Sequence, residues 1–501
     1  MQFTLISPRL ALQKGDFLGS GVPYWPLELA TLAAHLRETG DGVHVVDQFG
    51  ADPSCLTDAG DHYLQGVLLA PHLDHARARQ SDCFILFAIS YMSHEELLDS
   101  IRLIKSRFPA TPIAVLENSQ AVTAYSLQRV APAFFEAGAT ALICGEPYAN
   151  WADIRAFIAS GCHGAVPANL LTPTSDPVPA RSLLREGRHP VPAWDLFNLP
   201  AYWKLPYSHG PKTPRFLPLF TSRGCPYPCD FCVVPETNNR QWHGNTPADV
   251  VDEMIALRDR FGVRDFQVED LNPTVQHQRW EEICELLVAR QAGIRFAFVS
   301  GTKAETLRLE KIPLFARAGC CYLSISPESG SAELMKIIGK KFNYQHAIDL
   351  VRACRANGIR TQACFLVGHP DETDQDIASS KAYLQQLVRN GLDEVAIFVT
   401  ASFAGSKLHA RNSIGLSNAN ALPSFSPKGR AGYELLERRR KALVRTFFME
   451  KLKRGLDLWA QGLRALWGRP QTKMENLPRR IAYIYWLTIR MKVAHMLGLS
   501  R

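Results

Sequence analysis

Three cysteines within eight residues, Cys225-Pro226-Tyr227-Pro228-Cys229-Asp230-Phe231-Cys232, constrain this chain more than any other stretch. With that spacing the thiolates of one loop can converge on a single metal site, as cluster-binding cysteine runs do. No fourth cysteine follows nearby; the next is Cys284. Structural zinc takes four closed ligands, whereas three cysteines on a four-iron cluster leave one iron open to a ligand that is not protein. A zinc knuckle and a cluster with a vacant iron both satisfy the spacing, and motifs further along the chain decide between them.

The 501 residues exceed one ordinary core, so two or three domains are expected. Residues 1–160 alternate apolar strand-like runs with amphipathic stretches, the pattern of a doubly wound, Rossmann-like α/β domain. Gln2 to Ser7, Val43 to Asp47, Cys83 to Ser90, Ile113 to Leu116 and Ala141 to Cys144 read as strands. Helices are expected at 26–38, 94–107 and 125–137, and a glycine-rich loop at 15–21. Residues 161–215 are rich in proline and lack a sustained period, so they read as an extended connector that packs across both neighbours. His209 within it reads as a solvated loop histidine.

From Phe216 the pattern becomes strand, loop, helix, repeated about six times to residue 410. That is a partial (β/α)6 barrel, open on one side, in which function belongs at the carboxyl ends of the strands. The predicted strands are 216–221, 265–269, 295–300, 322–326, 360–367 and 394–400, with helices between them, one of them spanning 304–318. Residues 411–501 turn helical, basic and aromatic.

The cysteine loop, entered through Thr221-Ser222-Arg223-Gly224 and carrying Phe231 just before its third thiol, resembles that of the radical S-adenosylmethionine (SAM) superfamily. The strand ends downstream extend the likeness. Phe266-Gln267-Val268-Glu269-Asp270 resembles the family's acidic strand end, with a turn cap as the other reading of Asp270. Ser324-Ile325-Ser326-Pro327-Glu328-Ser329-Gly330 matches its Glu-Ser-Gly element, and Phe365-Leu366-Val367-Gly368-His369-Pro370 the element in which backbone groups hold adenine. Thr400 to Ser406 stands where the family has a Pro-Gly-Thr turn, a looser match. The resemblance implies Cys225, Cys229 and Cys232 as ligands of a [4Fe-4S] cluster, and Phe231, Asp270, Ser326, Glu328 and Gly368 as contacts of SAM. Hydroxyls and a carboxylate at the fourth strand end can hydrogen-bond a ribose or an ammonium group. No general base is named, because no histidine sits in a motif that demands one.

The first half resembles the cobalamin-binding domain that precedes the barrel in one large subfamily. The likeness rests on Tyr24-Trp25-Pro26-Leu27-Glu28-Leu29 through Arg37, on Val43-His44-Val45-Val46-Asp47, and on Cys144-Gly145-Glu146-Pro147. The Asp-x-His-x-x-Gly element that supplies a histidine to cobalt in many cobalamin proteins is missing. The resemblance therefore implies cobalamin without a histidine below the metal, or else a vestigial α/β module. Taken together, the expected activity is cobalamin-dependent C-methylation at an unactivated carbon of a small or lipid-like metabolite, with an external electron donor. The alternatives are a radical SAM cyclase or rearrangement enzyme without methyl transfer, and a tRNA methylthiotransferase-like enzyme, which carries a second cluster.

Twelve cysteines in a chain this long do not make a disulfide scaffold, and an exposed thiolate cluster asks for a reducing compartment, so a cytoplasmic setting is expected. The N-terminal residues read as a strand, without the order of a signal peptide. The longest uncharged apolar runs fall short of the roughly 20 residues that span a bilayer. Charge is uneven: residues 429–501 hold 17 Lys and Arg against 5 Asp and Glu, a net +12, so the first 428 residues sum to −4 within a chain of +8. Such a tail suits either a helical cap on the barrel or a peripheral contact with the inner face of a membrane, and nucleic-acid binding is the least favoured use.

Overall fold

The computed structural model describes residues 1–14, 22–174, 181, 189–411, 432–468 and 470–498. The expected glycine-rich loop at 15–21, parts of the connector (175–180 and 182–188) and the start of the tail (412–431) lie outside the described residues.

Five parallel strands, Gly42–Asp47, Gln2–Ser7, Cys83–Ala88, Ile113–Glu117 and Ala141–Ile143, lie side by side in that order. Numbered along the chain, the spatial order is 2-1-3-4-5, whose ligand crevice opens at the carboxyl ends where the order reverses. Every residue of Cys83–Ala88 is buried, because both faces of the sheet are covered. Phe84, Leu86 and Ala88 meet Leu97, Ile101 and Ile104 of the helix His94–Arg107. Cys83, Ile85 and Phe87 meet Leu29, Leu32 and Leu36 of the helix Leu27–Glu38. The two-residue side-chain period of the strand thus feeds two separate cores. Leu170–Leu171, from the expected connector, adds a sixth, antiparallel strand. A small antiparallel sheet of Leu10–Gln13, His62–Gln65 and Leu56–Asp58 had no sequence signal strong enough to anticipate.

The second sheet holds six parallel strands in chain order: Phe216–Leu219, Asp265–Val268, Arg295–Thr302, Cys320–Glu328, Arg360–Val367 and Glu394–Val399. Consecutive strands pair, and its two edges are the first and last strands. The outer faces pack against the covering helices, with Trp280 against Phe296 and Phe298. The expected helix over 304–318 is two single 3-10 turns followed by Ile312–Arg317. Pro313 explains the break, since proline fits only the first turn of a helix.

Trp194, Phe197 and Tyr202 of the connector join Trp25 and Phe49 of the first sheet's elements and Phe216 of the barrel in one continuous core. Trp25 stacks on Tyr202 at 4.2 Å between ring centroids. In the tail, Tyr433–Leu452 packs on the barrel through Leu436, Leu443 and Phe447. Leu456–Trp467 and Leu477–Met496 follow. No helix among the described residues is long and apolar enough to cross a membrane.

Candidate active site

The cysteine loop leaves the first barrel strand through Ser222–Gly224, which pairs antiparallel with Trp242–Gly244. Its root is fixed by Asp270, at the end of the second strand. That carboxylate accepts from Thr221 N (2.7 Å), Thr221 Oγ1 (2.6 Å) and Ser222 Oγ (2.5 Å). Asp270 therefore spends its acceptors inside the protein, in a capping geometry. Further along, Asp230 N donates to Ile338 O at 3.0 Å and Asp230 O accepts from Leu408 N at 2.8 Å. The loop is thus held between the fourth and sixth barrel units.

Burial pushes all three thiols up, Cys225 to about 11. The repulsion of the neighbouring thiols adds to this at Cys225 and Cys232, while Lys340 pulls Cys225 and Cys229 the other way. Among the described residues no three His, Cys, Asp or Glu side chains stand close enough to share one metal ion. A cubane bonds each thiolate to a different iron, so three thiols of one loop need not meet at a single point to hold a cluster.

The carboxyl edge of the first sheet meets this loop directly. Gln120, after the strand Ile113–Glu117, accepts the Gly224 N–H at 2.9 Å, and Asn238 binds Ser119 O and Gln120. Arg223 is buried between Glu28 (2.5 Å) and Glu146 (3.3 Å), with Tyr148 Oη donating to Glu28 at 2.6 Å. Those two carboxylates raise the Arg223 guanidinium against the opposing cost of burial. Glu28 and Glu146 belong to two of the stretches that carry the cobalamin-domain resemblance. Here they anchor the residue two positions before Cys225.

Between the first sheet's edge and the barrel mouth lies a cleft of about 50 Å3, or about 550 Å3 with its open mouth. Trp25, Phe87, Ile89 and Val122 line it, with the carboxamides of Asn118 and Gln120. Val122 is 54% exposed, an apolar side chain left open at the rim. Apolar side chains bordered by carboxamides match the faces and amide rim of a corrin in chemistry, and the cleft would have to widen to admit the ring.

At the fourth strand, a register shift against the fifth strand marks a bulge at Ser326-Pro327, before Glu328, where proline cannot continue the ladder. Glu328 takes φ +59°, a strained conformation of the kind that collects at functional sites. Its carboxylate pairs with Lys340 Nζ at 2.7 Å, and Lys340 also donates to Ser326 O at 2.7 Å. Burial pushes the Glu328 carboxyl up while Lys340 opposes it. Ser326 Oγ sits where a Cβ on Gly301 would be, so only glycine fits beside it. Gly368, at φ +84°, donates its N–H to Glu372 at 2.8 Å. Phe231 packs on Leu334, Met335 and Ile338.

Thus Phe231, Ser326 and Glu328 lie around the thiols, linked through Lys340 and the helix Ala332–Ile338, while Asp270 and Gly368 hold loops. Sequence reading missed Lys340 and Gln120, which sit in no motif, and gave Arg223 no role beyond its place at the entry to the cysteine loop. It also missed the partner of His209, whose Nδ1 lies 2.6 Å from Glu269 Oε2 at the barrel mouth, making it half-buried and paired. The only hint was Glu269 itself, next to Asp270 at a strand end.

Residues 219–384 match the family model described as the Radical SAM superfamily. The chain carries a radical SAM domain. Its fold over both sheets is that of two solved enzymes. One is the radical SAM methyltransferase TsrM from Kitasatospora setae with cobalamin and a [4Fe-4S] cluster bound (TM-score 0.58, 16% identity, 81% of this chain and 77% of that one). The other is the cobalamin-dependent SAM radical enzyme OxsB (TM-score 0.60, 19% identity, 79% and 53%). Among curated proteins, the chain is 27% identical over 240 residues to cytidylyl-2-hydroxyethylphosphonate methyltransferase of Streptomyces wedmorensis (46% of this chain, 44% of that protein). It is 28% identical over 188 residues to the anaerobic magnesium-protoporphyrin IX monomethyl ester cyclase of Rubrivivax gelatinosus (37% and 33%). The matches span less than half the length of these curated relatives.

Proposed function

We propose that this protein is a cobalamin-dependent radical SAM C-methyltransferase acting on an unactivated carbon of a small or lipid-like molecule, with electrons from an external donor. The observation that carries the reading is the junction between the two sheets. The thiol loop of a radical SAM barrel is hydrogen-bonded, through Gly224 and Arg223, to the carboxyl edge of a 2-1-3-4-5 sheet. Such an edge is where an α/β sheet of this order binds its ligand.

In this reading Cys225, Cys229 and Cys232 hold the cluster, and the cleft between Trp25, Phe87 and Val122 holds the corrin. When bound, the cluster with SAM supplies a carbon-centred radical able to take hydrogen from an unactivated carbon, and methylcobalamin supplies the methyl group. The chain's own part is positioning and exclusion of water. Lys340 offers a cation beside the thiols for the SAM carboxylate, Glu328 and Ser326 offer acceptors for its ribose or ammonium, and the glycine at 368 lets backbone approach the base.

Anaerobic reconstitution with iron, sulfide and hydroxocobalamin tests this. About four irons per chain, a retained corrin, and both 5′-deoxyadenosine and S-adenosylhomocysteine on reduction are expected. Zinc in place of iron and sulfide would overturn the whole reading. Loss of the corrin on desalting would discard methyl transfer and leave the barrel chemistry standing. About eight irons would favour the methylthiotransferase alternative. A retained corrin without S-adenosylhomocysteine would favour the cyclase alternative, for which the Rubrivivax relative speaks.

The partner side of the proposal is an anionic bilayer surface, met by the two last tail helices. Leu456, Trp459 and Leu466 on one helix and Trp486, Ile489 and Met496 on the other are at least half exposed. Residues 476–498 contain four Lys and Arg and no Asp or Glu. Exposed aromatic and aliphatic strips, bordered on the last helix by basic charge alone, complement anionic headgroups.

A further inference from the structure

The third barrel strand, Arg295–Thr302, runs directly into Lys303, which belongs to none of the motifs that carry the resemblance. Its Nζ stands over the ring of Tyr227, 5.0 Å from the centroid and within cation–π range. Tyr227 is the middle residue of Cys225-Pro226-Tyr227-Pro228-Cys229, so the ammonium lies against the cysteine loop itself. The prolines before and after Tyr227 restrict the backbone that carries this ring.

The Lys303 side chain is only 12% exposed. Among the described residues its three donors find no hydrogen bond. Glu305 Oε2 is 3.6 Å away, too far for one, and that oxygen is itself buried without a hydrogen-bond partner. Holding an ammonium out of water in this way is costly. Two other lysines near the loop differ. Lys340 Nζ is already held by Glu328 Oε1 and Ser326 O, each at 2.7 Å. Lys336, on the helix Ala332–Ile338, is 72% exposed and paired with Glu333 at 2.8 Å, so water screens its charge. Lys303 combines burial, contact with the loop and unused donors.

A [4Fe-4S] cluster gains a full negative charge when it takes one electron, and its potential follows net charge, hydrogen bonds to sulfur and solvent exposure. A poorly screened cation beside it favours the reduced state. We propose that Lys303 is the electrostatic partner of the cluster: its ammonium stabilises the reduced form and so sets the potential at which an external donor can deliver the electron. In that step one electron leaves the donor and enters the cluster, with no bond made or broken. The inference rests on the radical SAM reading and adds to it a residue that tunes the cluster without ligating it. Glu305 opposes the Lys303 charge, and variants that leave Glu305 in place therefore report Lys303 alone.

The test is a redox titration of reconstituted full-length protein without SAM, followed by the electron paramagnetic resonance of the reduced cluster. Lys303→Met is expected to lower the ratio of reduced to oxidised cluster about 10-fold at a fixed potential, a midpoint about 59 mV more negative for one electron. Lys303→Arg, which keeps the charge, should stay close to wild type, and Lys336→Met should leave the midpoint unmoved. An unmoved midpoint in a Lys303→Met protein with wild-type iron content and circular dichroism would overturn the proposal, whatever becomes of SAM binding. An equal shift in Lys336→Met would do the same, because any nearby charge would then suffice. Should Lys303→Met not fold, Lys303→Gln, which can donate to Glu305, decides in its place. A wild-type protein without iron and sulfide would sink the radical SAM reading itself, whereas an iron-loaded protein whose midpoint ignores Lys303 would sink this inference alone.

Discussion

His369 Nε2 lies 3.1 Å from Asp230 Oδ2, and His369 Nδ1 accepts the Asp371 N–H at 3.3 Å. In that arrangement Nε2 faces the aspartate that stands between two of the three loop thiols and can donate to it. Arg411 donates to the same Asp230 oxygen at 2.5 Å. The end of the fifth barrel strand therefore ties down the side chain of a loop whose backbone is held by Ile338 and Leu408.

Removing that tie should loosen the loop without abolishing it, because Arg411 remains. His369→Ala is expected to cost roughly 1.5–3 kcal/mol, the usual worth of a hydrogen bond to a charged group, and to lower the iron retained after desalting. His369→Gln, which keeps a donor, should recover part of both. Urea midpoints and iron per chain measure this; an alanine variant with full iron and unchanged midpoint would remove His369 from the account.

Lys340 and Glu328 form a buried pair, 2.7 Å apart. Breaking such a pair from one side costs about 3–5 kcal/mol, since a charge is left without a partner. Lys340→Met should therefore destabilise strongly, and Lys340→Met with Glu328→Gln should be nearer to wild type in stability than the single variant. Both should bind SAM more weakly in equilibrium dialysis. A double variant with normal SAM binding would show that the pair is structural only.

What the sequence could reveal follows from range. The six barrel strands repeat a local period, and the cysteine loop is contiguous, so both were legible. The pairings that complete the site join distant residues: Glu28 with Arg223, Gln120 with Gly224, and His209 with Glu269. No local pattern announces them. Arg223 illustrates the point, since a loop arginine reads as solvated until two glutamates from another sheet enclose it. The break at Pro313 was visible in the sequence, and the longer apolar period around it hid it. Leu170–Leu171 is too short for any period to mark.

Asp47, at the end of its strand, is pushed up to about 6 by burial, although Gly50 N (3.0 Å) and Tyr202 Oη (2.8 Å) both donate to it. Its folded value lies above the ordinary 3.8, so the folded state holds the proton more tightly. The strain is absent below about pH 4, grows as pH rises through the window up to about 6, and is constant above it. Asp47→Asn, which keeps one acceptor and lets Tyr202 Oη accept, should gain roughly 2–3 kcal/mol relative to wild type across that window. Urea midpoints of both proteins at successive pH values measure the difference; a gap that does not change with pH would refute the assignment.

The tail makes the most exposed commitment of the chain. Trp459 is 76% and Trp467 75% exposed, on a helix whose apolar residues recur at Leu456, Trp459, Leu463 and Leu466. Arg479 Nη2 donates to Leu466 O at 3.4 Å, so the end of that helix lies against the start of Leu477–Met496, whose own strip carries Trp486, Ile489 and Met496. Water contact on such strips is costly, at about 25 cal/mol per Å2 of apolar surface, and a bilayer interface relieves it. Full-length protein is expected to sediment with vesicles containing phosphatidylglycerol, more weakly with pure phosphatidylcholine, and less at high salt than at low, because the basic border supplies a screened attraction. Trp459→Ser combined with Trp467→Ser should lower the partition onto anionic vesicles by about 10-fold while leaving iron content unchanged. A wild-type chain that stays in the supernatant, or one whose strips are buried in a dimer in solution, would exclude the bilayer as the occupant of this face.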